Sequence, residues 1–412
     1  MGIVKKIRVN GFKSIRDLEL ELGRINVFIG TNGSGKSNVL EAIGLASAAT
    51  SGEIDYSSLS QRGMRLSTPE VMRTSFKDVR RSPLIKVECE MSHLLYRASL
   101  FTAENKNFIF SYHSELVQDS NIKVAGRGPN GVSLNVNVTV DGEDTSLSSI
   151  KWKSVLSAVE SLSLLSDEAR NDMLALRDYA VYSPSTPVLR GFAEDRSLKQ
   201  PLGIYGGGMA SALSEVFKST REEDRKRIIH GICSKFEWLR GYGFEKPLAK
   251  LQSQHVPSGS YVVRFFDRYM SESFNKLYAY DVSEGALYVL FVMLLLVHKD
   301  APKVFALDNI DSALNPGFVK MLIEHIAHIV EEDPERQMLI TTHNPTSLDA
   351  IDIFNPDHKL FIVERSEFGF TTVRNIAPPN NITKEMWAQS FGGMKLSQIW
   401  LSGAMGAINS TY

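Results

Sequence analysis

The run Ile25-Asn26-Val27-Phe28-Ile29 is apolar at all but one position and is followed at once by Gly30-Thr31-Asn32-Gly33-Ser34-Gly35-Lys36-Ser37. A nearly continuous apolar run reads as a strand buried on both faces, as in a parallel sheet. The segment after it holds a glycine, four residues, then Gly-Lys-Ser, which is the spacing of a phosphate loop. Gly30, Gly33 and Gly35 let the backbone wrap so that the N–H groups of Asn32, Ser34 and their neighbours point at phosphate oxygens. The helix predicted from Asn38 to Ala48 turns its N-terminus, with unpaired N–H groups and a positive dipole end, toward the same place. Lys36 supplies a mobile positive charge for the β- and γ-phosphates, and Ser37 a hydroxyl for Mg²⁺.

Around this loop the pattern alternates. Ile3–Val9 and Leu18–Leu22 read as strands, with Gly11 and Gly23 as turns. Residues 50–80 read as a Ser-rich loop and a short basic amphipathic element carrying Arg73, Lys77, Arg80 and Arg81, diluted by Glu70 and Asp78. Leu84–Met91, Tyr96–Thr102, Phe108–His113 and Val132–Val140 read as half-exposed antiparallel strands, with Gly126–Gly131 as a turn. Residues 150–180 and 208–275 read as helical, the second with a stripe of Phe265, Phe266, Tyr269 and Phe274 that suits core packing. Gly203–Gly208 reads as a turn at a lobe junction. The last third returns to strand and helix: Val304–Leu307, Pro316–Val330, Met338–Thr341 and Lys359–Glu364, a sequence that implies a parallel sheet with helical crossovers. Pro378–Tyr412 reads as packed on the body.

Composition removes several classes. The 412 residues are 43% hydrophobic, enough for a sizeable core. Lys and Arg number 46 against 47 Asp and Glu, so no global field draws in nucleic acid, although a local basic patch stays open as a DNA contact. Cys89 and Cys233 have no ligand or disulfide spacing, which points to a reducing cytoplasm. The N-terminus carries no secretory pattern. The longest apolar run, Ala286–Val297, spans about 18 Å as a helix, short of the roughly 30 Å of a bilayer core, and reads as a buried helix.

Three distal segments complete the pattern. Ser283-Glu284-Gly285 opens the apolar helix and offers a hydroxyl and bare N–H groups to an anion. Val304-Phe305-Ala306-Leu307-Asp308 is an apolar strand ending in an aspartate placed to hold a Mg²⁺ shell. Leu339-Ile340-Thr341-Thr342-His343 is a strand ending in a histidine, placed to sense a γ-phosphate.

In order, these segments resemble ATP-binding-cassette ATPases, and more closely the RecF/SMC/OLD branch. The opening Ile7–Ile15 (IRVNGFKSI) and Ile25–Asn38 (INVFIGTNGSGKSN) are similar to that branch almost throughout. Ser283-Glu284-Gly285 resembles its shortened signature, Ser312-Ala313-Leu314-Asn315 its D-loop and His343 its switch histidine. The resemblance covers about residues 1–48 and 281–365. It implies an α/β fold: an ABC-type P-loop ATPase head with a parallel-sheet core, an N-terminal antiparallel β part and an inserted β-rich and helical lobe. The implied division is 1–60 for the first part of the head, 61–275 for the insertion and 276–412 for the rest. The implied cofactors are ATP and Mg²⁺, held by the Gly30–Asn38 loop, with Ser37 and Asp308 at the metal. Asp308, Asn309 and His343 stand at catalytic positions, and Gln61 is the candidate Q-loop glutamine. Two chains would dimerise head to tail, with Ser283 and Gly285 acting in trans on the partner's nucleotide.

One position departs from the pattern. The residue after the Walker B aspartate is normally a glutamate, and here it is Asn309. An amide orients water but does not take its proton, and losing a general base costs on the order of 10²–10⁴-fold. Three readings follow: slow or partner-dependent hydrolysis, which is favoured; another carboxylate, such as Asp311 or Glu284, as base; or a nucleotide-gated scaffold with little turnover.

Stand-alone chains of this branch resemble ATPases of prokaryotic defence systems of Septu or PARIS type, which act with a separate nuclease or toxin. The residues after His343 lack the acidic arrangement of a Toprim nuclease, and no HNH-like pair of histidines with an asparagine is evident in the sequence. The chain therefore reads as the regulatory subunit, with itself and an effector protein as partners and no membrane. A RecF-like ATPase that clamps DNA is the alternative.

Overall fold

The computed structural model describes residues 2–52, 54–77, 79, 81–103, 109–118, 122–128, 131–134, 137–140, 143–146, 164–197, 199–248, 251, 261–379 and 381–404. The chain forms two compact units. Met1–Val181, Pro302–Asp311 and Pro316–Tyr412 make the first; Tyr182–Ala301 and Ser312–Asn315 make the second.

The first unit carries two large sheets. Its antiparallel sheet contains β1 (Lys6–Phe12), β2 (Ile15–Glu21), β4 (Ile85–Glu90), β5 (Leu94–Thr102), β6 (Phe110–Gln118), β7 (Ile122–Gly128) and β8 (Gly131–Leu134), in the order β2-β1-β4-β5-β6-β7-β8. Burial along β1, β2, β4 and β5 alternates, as a sheet with one covered face requires. A separate hairpin pairs β9 (Asn137–Val140) with β10 (Glu143–Ser146). The expected single strand over Val132–Val140 is thus two.

The second sheet positions the site. It contains β3 (Ile25–Ile29), β11 (Val181–Tyr182), β15 (Val304–Leu307), β16 (Gln337–Thr342), β17 (His358–Arg365) and β18 (Thr371–Ile376), in the order β11-β15-β16-β3-β17-β18. β15, β16, β3 and β17 run parallel, and β18 turns back along β17. Every residue of β3 is buried. Its one polar member, Asn26, is satisfied by Gly23 on both amide atoms and by Met338 O at 3.1 Å. Phe28 stacks on Phe361 of β17 at 4.8 Å between ring centroids.

Helix α1 (Lys36–Thr50) follows β3 and is buried at every residue except Ser37. It shares one apolar core with the antiparallel sheet, with Met173 and Leu176 of a later helix, Asp167–Asp178, and with Val304, Leu339 and Phe361 of the parallel sheet. Two short helices, α2 (Tyr56–Ser60) and α3 (Pro69–Met72), lie between α1 and β4, and the helix Asp167–Asp178 is α4. The remainder of the helix expected at 150–180 falls largely outside the described residues. Of the segment expected to pack on the body, the helix Leu396–Leu401 is tied down, with Ser397 donating through N and Oγ to Asp349 at 2.9 and 2.8 Å and Ile399 fully buried, whereas the helix Lys384–Ser390 has no buried residue. Residues 405–412 lie outside the described set.

The second unit holds α5 (Thr186–Leu189), α6 (Met209–Ser219), α7 (Glu222–Cys233), a sheet of β12 (Leu239–Glu245), β13 (Val262–Asp267) and β14 (Lys276–Tyr278), and α8 (Glu284–Val297). Helix α8 is buried from Ala286 to Leu296, as an all-round apolar helix must be. Among the described residues no helix is long and apolar enough to cross a membrane.

Further expectations are corrected. Leu239–Glu245, Val262–Asp267 and Lys276–Tyr278 are antiparallel strands where helix was expected, and residues 249, 250 and 252–260 of that expected helix lie outside the described residues: Val263 and Phe265 are buried at a period of two, and Gly241 and Gly243 weaken a helix. Tyr269 and Phe274 of the supposed core stripe are 74% and 75% exposed. The boundary at residue 60 does not separate units, because β1 pairs with β4 and the strands from 85 onward complete a sheet begun at residue 6. The boundary at 275 moves as well, since α8 belongs with the preceding helices. Finally, α3 ends at Met72, so Arg73, Lys77 and Arg81 lie beyond it and do not share one amphipathic element with it; Asp78 and Arg80 are outside the described residues.

Candidate nucleotide site

Parallel strands gather their carboxyl ends at one edge, where open α/β sheets bind ligands. Here that edge collects the Gly30–Ser37 loop after β3, Asp308 and Asn309 after β15, His343 after β16 and Arg365 at the end of β17. A cleft of about 230 Å³ is lined by Asn32, Gly33, Gly35, Lys36, Ser37, Asn38, Arg65, Asn309, His343 and Arg365.

The loop glycines are there for two reasons. Gly33 and Gly35 have φ of 78° and 109°, which disfavour a side chain. At Gly30 a Cβ would stand 2.1 Å from Val363 O, and at Gly35 2.0 Å from Thr371 Oγ1. The loop is stitched down on that side: Thr371 Oγ1 donates to Ser34 O at 2.8 Å and Arg365 Nε to Gly33 O at 2.8 Å. Asn38 Nδ2 donates to Ser14 Oγ at 2.6 Å.

Lys36 lies across the loop. Its Nζ donates to Gly30 O and Thr31 O at 2.9 and 3.0 Å, and stands 3.2 Å from His343 Nδ1. That same Nδ1 is 3.0 Å from Gly30 O, so the histidine tautomer decides whether it donates to the carbonyl or accepts from the ammonium. Burial pulls the Lys36 ammonium down to about 8, against the opposing pull of Asp308 and Asp311. Ser37 Oγ donates to Asp308 at 2.8 Å, and Thr341 Oγ1 donates to the other carboxylate oxygen at 2.5 Å. Asn309 N in turn donates to Thr341 Oγ1 at 2.8 Å, and His343 N to Asp311 Oδ2 at 2.9 Å. Thr341 therefore locks the aspartate and the residue after it to the neighbouring strand.

The donor set fits the groups the sequence implied. Lys36, Arg65, Arg365, a helix N-terminus and a cradle too tight for side chains suit a polyphosphate. The Ser37 hydroxyl and the Asp308 carboxylate, already in contact, are the hard oxygen donors that Mg²⁺ takes.

The structure brings Gly30, Asn32–Asn38, Asp308, Asn309 and His343 together. Gln61 is not among the cleft residues; it ends α2, donating its N–H to Ser57 O at 3.0 Å, and Arg65 reaches the cleft instead. Ser283 and Gly285 lie in the second unit at the start of α8. Ser283 is exposed and its side chain makes no capping hydrogen bond. A Cβ on Gly285 would stand 3.2 Å from Leu314 and 3.3 Å from Ala313 O, so the D-loop segment closes on it. In the same unit Glu284 accepts from Thr186 Oγ1. Sequence reasoning missed Arg65, Thr341 and Arg365. Arg365 had a signal, as the last residue of a strand beside β3; Arg65, in an irregular segment, had none.

A central parallel strand that opens into a lysine-bearing loop, with Asp308 two strands away, defines a nucleotide-binding ATPase head of the ATP-binding-cassette type. The RecF/RecN/SMC N terminal domain matches residues 3–356, and the chain belongs to that family. Heads of this family are in general ATPases that bind ATP with Mg²⁺. Similar solved structures include the Smc head domain of Pyrococcus furiosus bound to the C-terminal domain of ScpA (13% identity, 92% of this chain and 97% of that one, TM-score 0.46). The SMC head domain from Thermotoga maritima is similar at 13% identity (91% and 99%, TM-score 0.39), as is the recombination mediator RecF with ATP at 13% (91% and 99%, TM-score 0.36). No curated protein matches the chain.

Proposed function

We propose that this chain binds ATP and Mg²⁺ at the Lys36 cleft and that binding gates head-to-tail association of two copies. Lys36, Arg65, Arg365 and the α1 N-terminus bind the phosphates, Ser37 and Asp308 hold the metal, and His343 stands by the γ-phosphate. Mg²⁺, when bound, neutralises phosphate charge. Ser283 and Gly285 of one copy complete the other copy's site; the uncapped, exposed Ser283 at a helix N-terminus supports this role.

The observation that carries the reading of rate is Asn309. It lines the cleft directly after Asp308, where a carboxylate would take a proton from the attacking water. Its amide orients that water and leaves the proton without a strong acceptor. Asp311 already accepts the His343 N–H, and Glu284 is engaged by Thr186, so neither is a ready substitute. Turnover is slow or partner-dependent, and the ATP-bound dimer persists.

The finer role is that of a cytoplasmic regulatory ATPase in a prokaryotic defence system, restraining or releasing a separate nuclease or toxin. Its support is the sequence resemblance together with a net charge of only -1. The family description equally supports a RecF-like clamp on DNA. Copurification with the products of neighbouring genes, followed by mass measurement of the assembly, separates the two. An effector protein in the complex supports the first; salt-sensitive DNA binding by the isolated chain supports the second.

A further inference from the structure

The segment after α2 is pinned along one face of α1. Arg62, 6% exposed, donates to Ser47 Oγ at 2.7 Å, Ser47 O at 3.1 Å, Ser51 Oγ at 2.6 Å and Ser58 O at 2.9 Å. Met64 packs where Gly44 has no side chain; a Cβ there would stand 3.2 Å from its Sδ. Arg65 closes the run on Glu41 and Asn38. Positions 38, 41, 44, 47 and 51 recur every three or four residues, so they share one helix face. α1 thus uses a polar and small-residue stripe to seat this segment, and the end of the stripe nearest the phosphate loop delivers Arg65 to the cleft.

Glu41 is the centre of that end. Its side chain is 3% exposed and contacts Lys13 as well as Arg65. Arg65 donates to it three times: N and Nε to Oε1 at 3.1 and 2.7 Å, and Nη2 to Oε2 at 3.2 Å. Burial pushes the Glu41 carboxyl up, but the hydrogen bonds and charges of Arg65 and Lys13 outweigh it and keep the group below the ordinary range. Arg65 itself is 59% exposed, and a long side chain in water is otherwise free to sample many rotamers. The carboxylate fork orders it before any ligand arrives.

We propose that Glu41 is a positioning residue for nucleotide binding: it holds the Arg65 guanidinium in the cleft as a pre-ordered positive charge. The proposal rests on the reading that the cleft binds nucleotide. Pre-ordering reduces what the ligand must organise on binding, so the benefit appears as affinity. Asn38 contributes a single acceptor to the same guanidinium, while Glu41 supplies both charge and direction.

The test is calorimetric titration with ATP and Mg²⁺ of the full chain, Lys36→Ala, Glu41→Gln, Arg65→Ala and the Glu41→Gln/Arg65→Ala pair. Glu41→Gln is expected to weaken ATP about tenfold, the size of a charge-assisted hydrogen bond. In the Arg65→Ala background the same change is expected to have no further effect, because the group it acts through is gone. An equal loss in both backgrounds means that Glu41 only supports the fold, and an unchanged affinity in Glu41→Gln means that it does nothing for the site; either overturns the proposal. Loss of ATP binding in Lys36→Ala keeps the parent reading in place whatever Glu41 does, whereas unchanged binding there overturns the parent reading. Should Glu41→Gln fail to melt cooperatively, Glu41→Asp, which keeps the charge but withdraws the carboxylate, gives the same contrast.

Discussion

Replacing Asn309 by glutamate sets two effects against each other. Asn309 has φ of 55°, in the left-handed region, and its N–H is fixed to Thr341 Oγ1 at 2.8 Å. Asparagine and aspartate adopt that conformation more readily than other side chains. Glutamate gains little from local bonding there, so Asn309→Glu costs about 1–2 kcal/mol of stability. Against this, a positioned general base is worth on the order of 10²–10⁴ in rate. Steady-state phosphate release at saturating ATP and Mg²⁺, with Lys36→Ala as the blank, reads the second effect, and urea unfolding reads the first. We expect Asn309→Glu to raise turnover at least about a hundredfold while lowering stability. Asn309→Asp is a control of the same shape: it tolerates the backbone, keeps wild-type stability and recovers part of the rate. Wild-type turnover already as fast as that of Asn309→Glu would refute the reasoning, because the amide would then not be limiting.

Three further outcomes follow from the geometry. Lys36 sits near 8 because burial disfavours its charge, and bound phosphate favours that charge. ATP affinity should therefore be level below about pH 8 and fall above it by up to about tenfold per pH unit, with proton uptake measurable by calorimetry in two buffers. Asp172 is fully buried; its Oδ2 accepts the His93 N–H at 2.6 Å, and burial lifts its carboxyl to about 6. The folded state then holds a proton that the unfolded chain gives up near pH 4, so stability is full below that value and falls by up to about 3 kcal/mol as pH rises through 6. Asp172→Asn should remove that fall and raise stability at neutral pH in denaturant titrations. Ser283→Arg should block association yet leave the ATP affinity of the monomer unchanged; equal loss of affinity in Ser283→Arg and Lys36→Ala would defeat the trans-acting assignment.

The parallel sheet was legible because its strands are buried on both faces and so appear as nearly continuous apolar runs. Ile25–Ile29 and Val304–Leu307 were located to the residue. The phosphate loop, Asp308 and His343 were legible because each follows such a strand at a fixed offset. The second unit's sheet was not: Phe265, Phe266 and Tyr269 recur at spacings that also suit a helix, and only pairing with β12 and β14 decides for strands. The contact of Arg65 with Glu41 spans 24 residues between a helix and an irregular segment, with no period to announce it. Likewise, Thr341 reads as one more residue of a buried strand until its hydroxyl is seen between Asp308 and Asn309.

The central claim is that ATP at the Lys36 cleft joins two copies of this chain. Its most direct test is the solution mass by light scattering, with and without saturating ATP and Mg²⁺, for the wild type and Lys36→Ala. The account predicts a doubling of the 45.9 kDa mass with ATP in the wild type and none in Lys36→Ala. A wild-type mass indifferent to ATP, or the same doubling in Lys36→Ala, would contradict it.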